Sequence, residues 1–116
     1  MTDIDLAELS ARLAELRVVD VRRPDEYDGR LGSSCDPRQG HIPGAVNLDV
    51  QELVLLEPEA VLDRVGAPGD GEVVCYCHSG SRSALAVQVL RRLGYDARNY
   101  RGSWHEWSRT DLPVET

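Results

Sequence analysis

Val73-Val74-Cys75-Tyr76-Cys77-His78-Ser79-Gly80-Ser81-Arg82-Ser83 is the stretch whose reading decides the fold. Its first five residues, Val73–Cys77, form the most strand-like run in the chain, preceded by a turn at Pro68, Gly69 and Gly71. A helix is expected from about Ser81 to Leu93, because Ala86, Val89, Leu90 and Leu93 share one face and Gly94 supplies a stop. A buried strand that runs through a short loop into a helix is the building unit of a parallel sheet.

The same alternation extends in both directions. Leu6, Leu9, Leu13 and Leu16 recur at helical spacing, with Asp5 and Glu8 as a capping pair at the helix start. Val18–Val21 reads as a buried strand, and Pro24 opens a brief helix over Pro24–Tyr27. Asp28 to Gly44, rich in Gly, Ser and Pro, reads as one long loop. Ala45–Leu48 reads as a second strand and about Val50–Val65 as a helix. Ala97–Tyr100 is a last strand, and Trp104–Ser108 a last helical turn or two. Strands alternating with helices predict an α/β fold, a mostly parallel sheet with helices on both faces. Ligands bind such sheets at the carboxyl ends of strands, which directs attention to Cys77.

The 116 residues suit a single domain spanning 1–116. No apolar run exceeds five residues, far short of the roughly 20 that cross a bilayer; Leu53–Leu56 is four. The opening MTDIDLAELS lacks the basic and apolar regions of a secretory signal, so a cytoplasmic location and no membrane partner are expected. The net charge of −7 argues against a nucleic-acid partner. Charge is unevenly spread: residues 1–77 hold seven Arg against sixteen acids, whereas 78–109 hold six Arg against Asp96 and Glu106. Three cysteines, Cys35, Cys75 and Cys77, form an odd set that points to free thiols. Cys-x-Cys with a distant Cys35 and His41 matches a closed four-ligand zinc site poorly, so no metal is expected.

The loop Cys77-His78-Ser79-Gly80-Ser81-Arg82-Ser83 has the makings of an activated thiolate. A helix N-terminus and a nearby cation lower a thiol pKa, and unpaired amides of the first helical turn can form an anion nest. Gly80 allows a backbone twist that a side chain resists, Arg82 offers a forked cationic donor, and Ser79, Ser81 and Ser83 offer hydroxyls. A buried structural cysteine followed by an ordinary cap is the competing interpretation. It accounts for Cys75, but it leaves the Gly, the hydroxyls and the Arg beside Cys77 without a purpose.

Cys-x-x-Gly-x-Arg-Ser resembles the active-site loop of rhodanese-domain sulfurtransferases. Further segments match in order: Val19-Asp20-Val21-Arg22 with Pro24-Asp25-Glu26-Tyr27, Gly40-His41-Ile42-Pro43-Gly44-Ala45, Arg91-Arg92-Leu93-Gly94-Tyr95, and Tyr100-Arg101-Gly102-Ser103-Trp104-His105-Glu106-Trp107. The resemblance covers about residues 4 to 114. It implies a doubly wound five-stranded parallel sheet and a double-displacement reaction without organic cofactor or metal. Cys77 would take the outer sulfur of a small anionic donor such as thiosulfate, and His78, Ser79, Gly80, Ser81, Arg82 and Ser83 would bind it. A thiol, cyanide or a protein acceptor would then receive the sulfur. A persulfide carrier or sulfide-sensing module is the alternative. Cysteine-dependent phosphatases and arsenate reductases are disfavoured, because Cys77 to Arg82 spans six residues and their loops carry one more; Tyr76 also stands where such phosphatases usually carry His.

Around the loop, Asp20 and Arg22 are expected to act structurally, and His41 as a hydrogen-bonded turn residue. His78 either tunes the thiolate or contacts the donor. Trp104 and Trp107 share a helical face and are expected in the core, with Trp104 near the pocket wall. Cys35, in the long loop, is a candidate resolving thiol for a Cys77 persulfide.

Overall fold

The computed structural model describes residues 3–116; Met1 and Thr2 of the domain expected over 1–116 lie outside the described residues. Among these, four strands pair in parallel: β1 (Arg17–Asp20), β2 (Val46–Asn47), β3 (Val73–Tyr76) and β4 (Ala97–Asn99), in the order β2-β1-β3-β4. The helices are α1 (Leu6–Arg12), α2 (Pro24–Tyr27), α3 (Val50–Leu53), α4 (Pro58–Val65), α5 (Ser81–Arg92) and α6 (Ser103–Trp107). The α/β reading holds, but the fifth strand is reduced to a single parallel bridge between Ile4 and Tyr100. The reason is local. The Asp5 side chain accepts the Glu8 amide at 2.9 Å and opens α1, turning the chain out of the sheet after one residue.

The helix expected over Val50–Val65 is two helices. Pro58 cannot donate an amide and holds Glu57 extended (φ −71°, ψ 155°), so α3 stops early and α4 begins at the proline. Among the described residues, no helix is long and apolar enough to cross a membrane.

Alternation along β3 sorts the core. Val73, Cys75 and Cys77 face α3, α4 and α5, packing with Val50, Leu53, Val61, Val65, Ala86, Val87 and Leu90. Val74 and Tyr76 face the other way, toward Leu9 of α1 and Trp104 and Trp107 of α6. From β2 the chain crosses β1 to reach β3, so the direction of winding reverses between β1 and β3. That switch point puts a crevice at the carboxyl ends of the two strands, where Asp20 and Cys77 emerge.

The long loop is pinned to this end of the sheet by a buried polar cluster. Arg22 donates through Nε and Nη2 to Asp20, at 3.0 and 2.7 Å, and through Nη2 to the Gly40 carbonyl at 2.6 Å. Tyr76 donates its hydroxyl to Asp20 (2.8 Å) and accepts the Ile42 amide (3.0 Å). The Arg22 guanidinium lies 5.0 Å from the Trp104 ring centre. Asp20 and Arg22 therefore hold structure, as expected. His41 packs flat on Tyr27, ring centres 3.7 Å apart, with Nδ1 2.8 Å from the Tyr27 carbonyl.

Candidate active site

Cys77 leaves the end of β3 and the chain curls once before α5 begins. Gly80 has φ +99°, and a Cβ there would stand 2.9 Å from the Arg101 carbonyl oxygen. Only glycine satisfies both the twist and the close approach. The curl turns amides inward: Gly80 donates to Cys77 Sγ at 3.1 Å and Ser83 at 3.4 Å. Gly80, at the N-cap of α5, offers no side-chain oxygen, so the sulfur occupies the capping role at this helix end.

Burial pushes the Cys77 thiol up. Hydrogen bonds from the Ser83 side chain and from the Ser83, Gly80 and Ser79 amides outweigh it, leaving the thiol below its ordinary value. The Ser83 hydroxyl has one proton for two acceptors: Cys77 Sγ at 3.4 Å and Asn99 Oδ1 at 2.6 Å. The amides are thus the constant donors.

Two residues outside the loop hold it in place. Asn99, at the end of β4, accepts from Ser83 and donates to the Gly80 carbonyl at 3.2 Å, tying both ends of the curl together. Ser103 accepts the Cys77 amide (3.1 Å) and donates to the Tyr100 carbonyl (2.8 Å). Its φ of +56° is strained for a non-glycine residue, at a cost of roughly 1–3 kcal/mol. The amides of Trp104 and His105 take the carbonyls of Cys77 and His78 at 2.9 and 3.0 Å. Sequence reasoning quoted Ser103 only within a tail motif and passed over Asn99; no local pattern marks either as a partner of a loop some twenty residues upstream.

Arg82 is not aimed at the sulfur. Its guanidinium forks onto Glu26, Nη1 to Oε1 at 2.8 Å and Nη2 to Oε2 at 3.3 Å. This pair separates two shallow clefts, one of about 410 Å³ lined by Arg23, Leu31, Ser33 and His78, the other of about 370 Å³ beside Val50. The basic excess of residues 78–109 is likewise met by acids from the first half of the chain, Arg98 by Glu8 and Arg109 by Asp36. His78 sits at the cleft wall with Nε2 3.0 Å from Asp36 Oδ2. Ser79 and Ser81 line a third hollow behind the loop, together with Asp3, Asn99 and Arg101. Trp104 is fully buried and belongs to the core rather than the pocket wall.

Access is the least expected feature. Cys77 is 1% exposed, so the sulfur lies beneath its loop rather than open to solvent. Cys75, also buried, has its thiol pushed up to about 12 by burial and by the neighbouring Cys77. Cys35 is exposed.

A doubly wound parallel sheet with a cysteine ringed by amides at its switch point defines a class of thiol-dependent α/β domains. Residues 5–110 match the rhodanese-like domain family, and the chain belongs to it. It is similar to a thiosulfate sulfurtransferase of Corynebacterium glutamicum, 42% identical over 118 residues, covering 87% of this chain and 38% of the relative. The structure resembles that of a probable thiosulfate sulfurtransferase (45% identity, TM-score 0.83, 98% of this chain and 47% of the other). It also resembles a human single-domain sulfurtransferase (34% identity, TM-score 0.72, 97% and 99%). The chain spans less than half the length of the curated relatives it matches.

Proposed function

We propose that this protein is a sulfurtransferase that carries sulfane sulfur on Cys77. The observation that carries the reading is the convergence of the Gly80 and Ser83 amides on Cys77 Sγ. Such a nest stabilises a thiolate before reaction and the terminal sulfur of a persulfide after it. The Cys77 thiolate attacks the outer sulfur of thiosulfate or a similar small anion. The S–S bond breaks, and sulfite leaves with the electron pair. A thiol or cyanide then attacks the terminal sulfur and the Cys77 thiolate departs. His78, Ser79, Gly80, Ser81, Arg82 and Ser83 form the donor-binding loop in this proposal, through their amides above all. Arg82 joins once the donor competes with Glu26 for its guanidinium. No organic cofactor or nucleic acid takes part.

The two buried clusters flank one sheet, which supports reading 1–116 as one domain. A protein acceptor and a cytoplasmic setting belong to the same proposal, since the free thiols of Cys35, Cys75 and Cys77 suit a compartment that keeps thiols reduced. The near-complete cover over Cys77 favours a second reading, a persulfide carrier that protects its cargo and turns over slowly.

Intact mass after incubation with thiosulfate tests the proposal. A gain of one sulfur atom that disappears in Cys77→Ser is expected, and a gain that persists in that variant refutes the assignment. The rate of thiocyanate formation from cyanide then separates enzyme from carrier.

A further inference from the structure

The mouth of the cleft gathers a second group of donors, of which His78 alone belongs to the proposed donor-binding loop. One donor atom each from Cys35, Asp36 and His78 lies within 4.8 Å of the other two. The Asp36 side chain is fully buried and its Oδ2 accepts no hydrogen bond, although His78 Nε2 lies 3.0 Å away. A buried carboxylate oxygen without a donor is costly and calls for an occupant. The other oxygen, Oδ1, accepts from Arg109 Nη1 at 3.0 Å and is hydrogen-bonded to His78 Nε2 at 3.3 Å. Arg109 also donates to the carbonyls of Cys35 at 2.9 Å and His105 at 2.6 Å, fixing both the carboxylate and the backbone beside the thiol. Outer partners of this kind orient ligands in built metal sites.

We infer that Cys35 Sγ, Asp36 Oδ2 and His78 Nε2 form a binding site for a thiophilic divalent cation of the zinc class. Thiolate, imidazole and carboxylate are the donor types zinc accepts, whereas calcium and magnesium take oxygen. A tetrahedral ion with bonds of about 2.0–2.3 Å sets its donors roughly 3.3–3.8 Å apart. Asp36 and His78 already stand near that spacing. Cys35 is exposed, and its Sγ, in contact with the Ser33 hydroxyl at 2.8 Å, supplies the remaining movement by turning. Three protein donors leave a fourth position open, and His105, with Nδ1 4.0 Å from Asp36 Oδ1, is the nearest further imidazole. Binding releases the Cys35 proton and replaces the hydrogen bond of His78 Nε2 to Asp36 Oδ1 with a bond to the ion. Two anionic donors balance the ion, and Arg109 keeps the affinity below that of a closed structural site. The site shares His78 with the proposed donor-binding loop, while Cys77 contributes no ligand.

Cobalt(II), a spectroscopic stand-in for zinc, tests this. The titration is made anaerobically on the Cys77→Ser chain, so that the other thiolate cannot bind. One equivalent of cobalt with a thiolate-to-cobalt charge-transfer band in the near ultraviolet is expected. Adding Cys35→Ser should remove the band and weaken zinc binding by about 100-fold or more in calorimetry. Cys35 is exposed, so the variant folds, and circular dichroism without metal verifies it. Absence of saturable binding, or a band that survives Cys35→Ser, overturns the inference.

Discussion

Cys75 and Cys77 lie two residues apart on the same face of β3, both buried, and their thiols move in opposite directions. Cys75 sits inside the ladder, opposite Val19 and Asn99, where backbone amides are spent on neighbouring strands. Burial acts on it with nothing to offset the loss of water, and its thiol rises to about 12. Cys77 sits one step past the strand end, where the first turn of α5 leaves amides without helical partners. Two thiols nearly hidden from solvent thus shift in opposite directions. Unspent peptide donors outweigh burial at Cys77, and Cys75 has none.

The strongest way to break this contrast is to exchange the sulfurs. Cys77→Ser is expected to abolish sulfur loading from thiosulfate with little change in melting temperature. Cys75→Ser is expected to load normally but to lose about 1–3 kcal/mol in urea titration, because a hydroxyl is then buried among apolar neighbours. Loading by Cys77→Ser, or its loss in a folded Cys75→Ser, would remove the distinction.

A second effect is the sign of the pH dependence. The fold lowers the Cys77 pKa, so ionised Cys77 adds stability above the ordinary thiol pKa of about 8.5. That contribution disappears as pH falls through the folded value. Cys75 works in reverse: it stays neutral in the fold to about 12, so stability falls once the unfolded thiol ionises above about 8.5. Urea titrations at pH 7 and pH 10 should show Cys75→Ser losing the alkaline penalty and Cys77→Ser deepening it. Alkylation should modify Cys77 at a lower pH than a free thiol and leave Cys75 untouched in the native state.

Gly80→Ala sharpens the geometric part. Its positive φ and the Arg101 carbonyl should cost at least about 1–2 kcal/mol and tilt the Gly80 amide off the sulfur. The alkylation midpoint of Cys77 should then rise toward the ordinary thiol value; an unmoved midpoint would assign the effect to Ser83 and Ser79. The smallest change is expected from Glu26→Gln. Freed from its carboxylate, Arg82 should bind an anionic donor a few-fold more tightly, seen as a lower KM for thiosulfate.

Much of this was legible in the chain. The four strands, the cap at Asp5 and the start of α5 follow from period, breaker residues and local hydrogen bonding, and the structure has them within a residue or two. The fifth strand came from family resemblance alone, and no strand-like run in the sequence marks it. The break within Val50–Val65 follows from Pro58, which donates no amide and holds Glu57 extended. The inward turn of the loop was readable from Gly80 and the unpaired first turn of α5.

The sequence alone determined that Cys77 stands in a loop of Gly, Ser and Arg and meets a helix start, because those depend on neighbours within six positions. Only the tertiary structure decided what surrounds them. It committed Arg82 to Glu26, recruited Asn99 and Ser103 to fasten the loop, covered the sulfur, and set Cys35 and Asp36 against His78. Each of those pairings joins residues sixteen or more positions apart, and their meeting is fixed by strand order and core packing, which no short-range pattern encodes.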